Sequence, residues 1–273
     1  MRRPTGLQYA PLHVHSDFSP MDGTATVEEY VDRAVELGMP ALALTDHGSL
    51  SGIRQLHRIA TDKGIKPIFG IEAYFCHDRN DKRPLKERTE PLDQNYFHLI
   101  LIAANDIGYR NLCRMHEIAF SEGFYYKPRL DWEMLESMNE GIIALSGCMG
   151  GLINQCIEKN ELGLAKEYVE RFVNIFGDRY YIELMPHNAE GINKALIELA
   201  DSFGIPVVVT PDCHHATVDQ KVIQEIMLIT GTHTQPLKDA SYAICDHNDD
   251  MVNLDRLYGA DRKMSFRSFD IHL

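Results

Sequence analysis

Apolar and polar positions along the chain follow two rhythms. Short, β-branched apolar runs occur at Pro11–His15, Ala41–Asp46, Lys66–Phe75, Phe97–Ala103, Gly141–Ser146, Tyr180–Met185 and Pro206–Thr210. Runs as uniformly apolar as Ile205-Pro206-Val207-Val208-Val209 suit strands covered on both faces, as in parallel sheets. Amphipathic stretches of helical period lie between them. Thr26-Val27-Glu28-Glu29 has the capping-box pattern and predicts a helix ending at Gly38. Further helices are predicted over Leu50–Lys63, Asp106–Ala119, Leu162–Phe176, Glu190–Phe203 and Asp219–Leu228, with shorter ones at Trp132–Met138 and Gly151–Glu158. Seven strands alternating with helices predict an α/β barrel or a doubly wound sheet.

Most connections are short. The exception is Asp78–Asp93, with five basic and five acidic side chains, which reads as a mobile surface loop. Residues Asp246–Asp261 are polar and acidic, and Met264–Ile271 alternates weakly, like a short edge strand. At 273 residues the chain can bury about three-quarters of its unfolded surface, so folding requires no disulfide or structural metal. Six cysteines without a C-x-x-C pair give neither a zinc ribbon nor a disulfide framework. No apolar run approaches the ~20 residues of a membrane span. The opening Met1-Arg2-Arg3-Pro4 has no apolar segment behind it. A cytoplasmic location without a membrane partner is therefore expected. The net charge of −13 argues against a bulk electrostatic grip on nucleic acid. It is compatible with a nucleic-acid enzyme whose positive charge comes from bound metal.

The positions of the metal-competent side chains change this picture. His13 and His15, two apart, share one face of a strand, and Asp22 follows. The second strand ends in Thr45-Asp46-His47-Gly48, the third carries Glu72, and the fifth ends in Ser146-Gly147-Cys148. The last ends in Thr210-Pro211-Asp212-Cys213-His214-His215. Only His98 stands at the start of its strand. Side chains at strand ends converge where the βα loops of a barrel meet. Imidazole, carboxylate and thiolate suit Zn²⁺ and similar ions. Nine candidates exceed the needs of one ion and fit two or three, an arrangement used in phosphoryl transfer. Singly each is weak: H-x-H arises by chance, and a lone Cys148 reads as a small apolar residue. The reading rests on their conjunction on six of seven strands.

The stretches Leu12-His13-Val14-His15-Ser16, Phe18-Ser19-Pro20-Met21-Asp22-Gly23, Met39 to Gly48, Gly64 to Tyr74, Gly123-Phe124-Tyr125-Tyr126-Lys127-Pro128-Arg129 and Leu145-Ser146-Gly147-Cys148 carry a specific resemblance. The chain resembles the PHP (polymerase and histidinol phosphatase) domain, in the form found at the N-terminus of bacterial DNA polymerase III α subunits, from about residue 9 to 271. The resemblance implies a distorted (β/α)₇ barrel with a metal cluster at its C-terminal mouth. One ion would be held by His13, His15, Glu72 and Asp212; a second by Glu72, His98 and Cys148; a third by Asp22, His47 and His214. Glu72, His13 and Asp212 would carry the chemistry. Zn²⁺ and Mn²⁺ are the expected ions, with Mg²⁺ or Fe²⁺ as other options. Pro211 replaces a usual Asn and His215 a common Tyr; neither removes a ligand, though His215 competes with His214 for the third ion.

The family's intact members imply a 3′→5′ exonuclease that proofreads in cis to a polymerase. The expected partners are a DNA 3′ end, a polymerase palm in the same longer chain and other replisome subunits. Lys127, Arg129 and His187 are candidate substrate contacts. The chain is expected to be one PHP domain, core 9–235, with an extension over 236–273 leading toward a palm. Two alternatives stand beside this reading: a small-molecule phosphomonoesterase of the histidinol-phosphatase type, and a structural or partner-binding module of the polymerase.

Overall fold

A computed structural model describes residues 9–90, 92–232 and 242–243. The acidic stretch 246–261 and the strand expected over 264–271 lie outside them. The strands are β1 (Ala41–Leu44), β2 (Lys66–Phe75), β3 (Phe97–Ala103), β4 (Arg129–Leu130), β5 (Ile142–Leu145), β6 (Tyr180–Leu184), β7 (Val207–Val209) and β8 (Cys213–His215). The helices are α1 (Val27–Leu37), α2 (Ile53–Asp62), α3 (Asp106–Ser121), α4 (Trp132–Met138), α5 (Leu152–Glu158), α6 (Leu162–Phe176), α7 (Glu190–Phe203) and α8 (Lys221–Thr232). The capping box at Thr26 is present: Thr26 N–H donates to Glu29 Oε2 at 2.7 Å, and Gly38 ends α1 in the left-handed region at φ 66°. No helix among the described residues is long and apolar enough to cross a membrane.

The strands form a distorted barrel in the order β1-β2-β3-β5-β6-β7, with β4 beside β2. The expected first strand, Pro11–His15, is an extended segment with no ladder of its own. It nevertheless closes the curl. Ala43 N–H donates to Pro11 O at 3.0 Å and Thr45 N–H to Val14 O at 2.9 Å on one side. On the other, His15 N–H donates to Cys213 O at 2.8 Å and Cys213 N–H to His13 O at 3.0 Å. One strand departs from a uniform βα winding: β3 is antiparallel to both β2 and β5. Hydrophobic periodicity does not encode direction, so the apolar pattern alone does not show this.

Two apolar layers build the molecule. The larger packs the helices against the outer sheet face, with Leu42, Leu44, Leu99 and Leu101 pointing outward. The smaller fills the barrel: Ala43, Ile68, Ile100, Ile102, Ile143, Leu145, Tyr181 and Val208. Two-residue periodicity carries that interior face upward from Ile68 to Glu72 and from Tyr181 to Glu183. On the reversed β3 it carries upward from Ile100 to His98. The reversal is why a residue at a strand start joins residues at strand ends.

The loop over 78–93 is laced by ion pairs. Arg88 is within 3.1 Å of Asp81 and 2.7 Å of Asp93. Arg129 anchors it from beneath.

Candidate metal centre

Glu72 stands at the centre of the barrel mouth, fully buried. Its Oε1 lies 2.9 Å from His98 Nδ1, 3.4 Å from His13 Nε2 and 3.5 Å from Cys148 Sγ. Its Oε2 lies 3.5 Å from His15 Nε2 and also contacts His47 Nδ1. Asp212 Oδ1 faces His13 Nε2 at 3.2 Å and His15 Nε2 at 3.3 Å. Asp22 Oδ2 meets His47 Nε2 at 3.2 Å and His214 Nε2 at 3.6 Å. All nine sequence-predicted ligands are thus brought together. His15 stacks against both His47 and His214, with ring centroids 4.1 and 4.4 Å away.

Asp212 reaches the cluster from a left-handed backbone, φ 53°, just after Pro211. Asp tolerates this region better than most residues, but the conformation still costs free energy. His215 turns elsewhere: its Nδ1 lies 3.0 Å from the Thr217 carbonyl oxygen. His214 is therefore the histidine that faces Asp22. Gly147, at φ 85°, lets the Cys148 turn pass His98, whose carbonyl oxygen would lie 2.7 Å from an added Cβ.

The residues fit metal ions. His13 Nε2, His15 Nε2, Asp22 Oδ1 and Asp212 Oδ1 are buried there without hydrogen-bond partners among the described residues, a costly arrangement unless a cation fills it. Three groups of ligand atoms lie close enough to share an ion: His15, His47 and His214; His13, His15 and Asp212; His47, Glu72 and His98. Donor separations of 2.9–3.6 Å match the edges of coordination shells with bonds of about 2.0–2.3 Å.

Electrostatics show the same frustration. Burial opposes charge on Glu72, but the imidazoles of His98 and His47 hold its carboxyl well below the usual range. Burial, reinforced by His47 and His214, pushes His15 down to about 3. Burial is overcome at His47, which Glu72 and Asp22 raise to about 10. Burial and the nearby carboxylates of Glu72 and Asp212 push the Cys148 thiol well up. Binding a cation would therefore release protons from His47 and Cys148.

Supporting residues surround the ligands. Glu183, fully buried, accepts a 2.8 Å hydrogen bond from His13 Nδ1, a 3.0 Å bond from Gly147 N–H and one from the Thr210 hydroxyl. A protonated Nδ1 leaves His13 Nε2 as the lone-pair donor toward the cluster. Sequence reasoning missed Glu183; its signal was a lone carboxylate in an otherwise apolar strand. Asp46 joins the first two strand ends, accepting from Ser16 N–H at 2.7 Å and the Ser19 hydroxyl at 2.8 Å. Burial pushes its carboxyl up to about 6 against those bonds.

The three expected substrate contacts separate. Lys127 sits on the rim, its Nζ 5.1 Å from the Tyr74 ring centroid. Tyr74 in turn lies 6.2 Å from the His47 ring and 5.8 Å from the His98 ring. His187 is half-buried and within electrostatic reach of Asp212, His13 and His214. Arg129 is a correction. It is fully buried, and its guanidinium donates to the carbonyls of Arg79, Asp81 and Gly123 at 2.8, 2.9 and 3.1 Å. Those bonds occupy it as a strut of the loop, out of reach of a phosphate.

A sequence profile described as PHP domain matches residues 11–187. DNA polymerase III subunit alpha of Aquifex aeolicus is 38% identical over 224 residues, covering 81% of this chain and 19% of the relative. That of Thermus aquaticus is 39% identical over 233 residues, 84% of this chain and 19% of the relative. The chain spans about a fifth of the length of these relatives. Among solved structures, a protein from Bifidobacterium adolescentis described as a candidate metal-dependent phosphoesterase shares the fold, with a TM-score of 0.51 at 14% identity over 92% of this chain and 96% of that one.

Proposed function

The chain belongs to the PHP domain family, and from that premise we propose that it is a metal-dependent phosphodiesterase that removes nucleotides from a DNA 3′ end, as the proofreading domain of a replicative polymerase α subunit. The observation that carries the reading is the gathering of nine ligand-competent side chains at one barrel mouth, seven of them in three groups close enough to share an ion and several with buried atoms that have no hydrogen-bond partner among the described residues. A purely structural module has no use for that uncompensated polarity.

His13, His15, Glu72 and Asp212 would hold one divalent ion, Glu72 with His98 and Cys148 a second, and Asp22, His47 and His214 a third, with Zn²⁺ or Mn²⁺ suiting this mixed donor set. Ions bound there supply Lewis acidity toward a phosphodiester and toward the attacking water. The carboxylates of Asp22, Glu72 and Asp212 would by themselves repel a DNA end, so substrate binding depends on the cations. Glu183 fixes His13 by accepting from Nδ1. Lys127, over the Tyr74 ring at the rim, would neutralise a phosphate of the incoming strand.

The test is release of single nucleotides from a 3′-labelled oligonucleotide by the protein loaded with Mn²⁺ or Zn²⁺, beside hydrolysis of p-nitrophenyl phosphate. Chelator-sensitive nucleotide release is expected. Chelator-sensitive hydrolysis of the monoester without nucleotide release would replace the nuclease with a small-molecule phosphatase; activity in neither assay would favour a structural role.

A further inference from the structure

The segment Phe124–Lys127 is not used by the metal ligands, yet it stands beside them. Tyr125 N–H donates to Lys127 O at 3.0 Å, so the chain reverses sharply with Tyr126 at the apex. Tyr126 has φ 61°, a left-handed conformation that a tyrosine adopts at a free-energy cost, and its side chain is 72% exposed. The turn is held from both ends. Arg129 lies 5.2 Å from the Tyr125 ring centroid, and Pro128 packs so close to Gly48 that an added Cβ there would be 3.1 Å from its Cγ. Tyr125 and Tyr126 contact edge to face at 4.6 Å. A strained, exposed aromatic ring is therefore presented on a rigid base.

Its surroundings suit one chemistry. Next to Tyr126, Lys127 places its ammonium over Tyr74, whose ring adjoins those of His47 and His98. Tyr96, half-buried, continues this rim 4.8 Å from Tyr74. Phe124, two residues before Tyr126, is also exposed. Aromatic faces interleaved with a cation beside a phosphodiester-cleaving centre are the elements of a single-strand binding track: bases stack on the rings and the backbone meets the cation.

We propose that the Tyr126 turn is a base-stacking platform for a single-stranded polynucleotide end, with Lys127 holding a phosphate between the stacked base and the metal cluster. The inference rests on the nuclease reading for its substrate class and is tested by binding rather than cleavage. The probe is a fluorescein-labelled oligothymidylate with a 3′-terminal phosphorothioate linkage, and its oligouridylate counterpart, titrated by anisotropy against the Mn²⁺-loaded 273-residue chain.

Tyr126→Ala should weaken oligothymidylate binding roughly 5- to 150-fold, the range for removing one stacking ring. Tyr126→Phe should stay within about 2-fold, because stacking does not need the hydroxyl. Lys127→Gln should lower the salt dependence by about one phosphate contact. Tyr126→Gly should lose binding while raising the melting temperature, since glycine relieves the left-handed strain; a merely structural tyrosine would lower it. The loss should be equal for the ribo-oligomer, as stacking does not sense the 2′-hydroxyl. Unchanged binding in Tyr126→Ala, a loss confined to one sugar type, a lowered melting temperature in Tyr126→Gly, or a wild-type chain that binds neither oligomer would overturn the proposal. Failure of the nuclease reading is distinct: it appears as no release of nucleotides from an unmodified 3′ end while binding and its Tyr126 dependence persist.

Discussion

The lower and upper halves of the barrel interior are built on the same strands and differ in almost everything else. Below, Ala43, Ile68, Ile100, Ile102, Ile143, Leu145 and Val208 make an apolar plug. Above, one interior position further along, His98 follows Ile100 and Glu183 follows Tyr181; two positions above Ile68 stands Glu72. A rise of about 6.6 Å, two residues of strand, separates these worlds. Each buried isoleucine below stabilises the fold by about 1.5–3 kcal/mol. The layer above opposes it: three carboxylates, Asp22, Glu72 and Asp212, crowd one mouth beside imidazole nitrogens that have no hydrogen-bond partner among the described residues. The contrast teaches that the plug supplies rigidity while the mouth holds a preorganised, unfavourable charge arrangement that only a ligand resolves.

Substitutions in each layer can break that division. Glu72→Gln should cut phosphodiester hydrolysis by at least about 100-fold, the scale of a ~1 Å displacement of reacting groups, while the melting temperature of the chelated protein holds or rises. A variant with near-wild-type hydrolysis would remove Glu72 from the centre of the site. Ile100→Ala should do the reverse, destabilising by about 2–5 kcal/mol in denaturant unfolding with metal bound per chain unchanged in elemental analysis. Loss of metal in proportion to stability would mean the layers are not separable. Glu183→Gln belongs to the boundary. It keeps the shape but weakens the acceptor for His13, so metal affinity should fall about 10- to 100-fold with little change in melting. Finally, ion at 100 times its Kd should stabilise the wild type by about 2.7 kcal/mol over the chelated form. Ile100→Ala should keep that increment and Glu72→Gln should lose most of it.

Strand positions and the candidate ligands were legible in the sequence because both are local: β-branched runs mark strands, and His13, Asp22, His47, Cys148 and Asp212 lie in or just after them. What was not legible depends on distant partners or on direction. Glu183 meets His13 across 170 residues, so its place as a lone carboxylate in an apolar strand marks it as unusual but does not reveal its partner. Reversal of β3 leaves apolar periodicity unchanged, and only His98, out of place at a strand start, hinted at it. Arg129 lies beside Lys127 in a segment with a Gly and a Pro, which predicts an exposed loop. Its partners are main-chain carbonyls, which no side-chain pattern records.

The antiparallel β3 also decides where the chain can vary in length. Parallel neighbours are joined by a crossover that returns to the opposite end of the barrel. An antiparallel pair is joined at a single end, so the connection from β2 to β3, residues 76–96, both leaves and re-enters at the mouth that holds Glu72 and His98. Insertions or deletions in that stretch would alter the height and charge of the wall around the cluster without touching a ligand. It is the natural graft point for changing which substrates gain entry, provided the Arg79 and Asp81 carbonyls gripped by Arg129 keep their places.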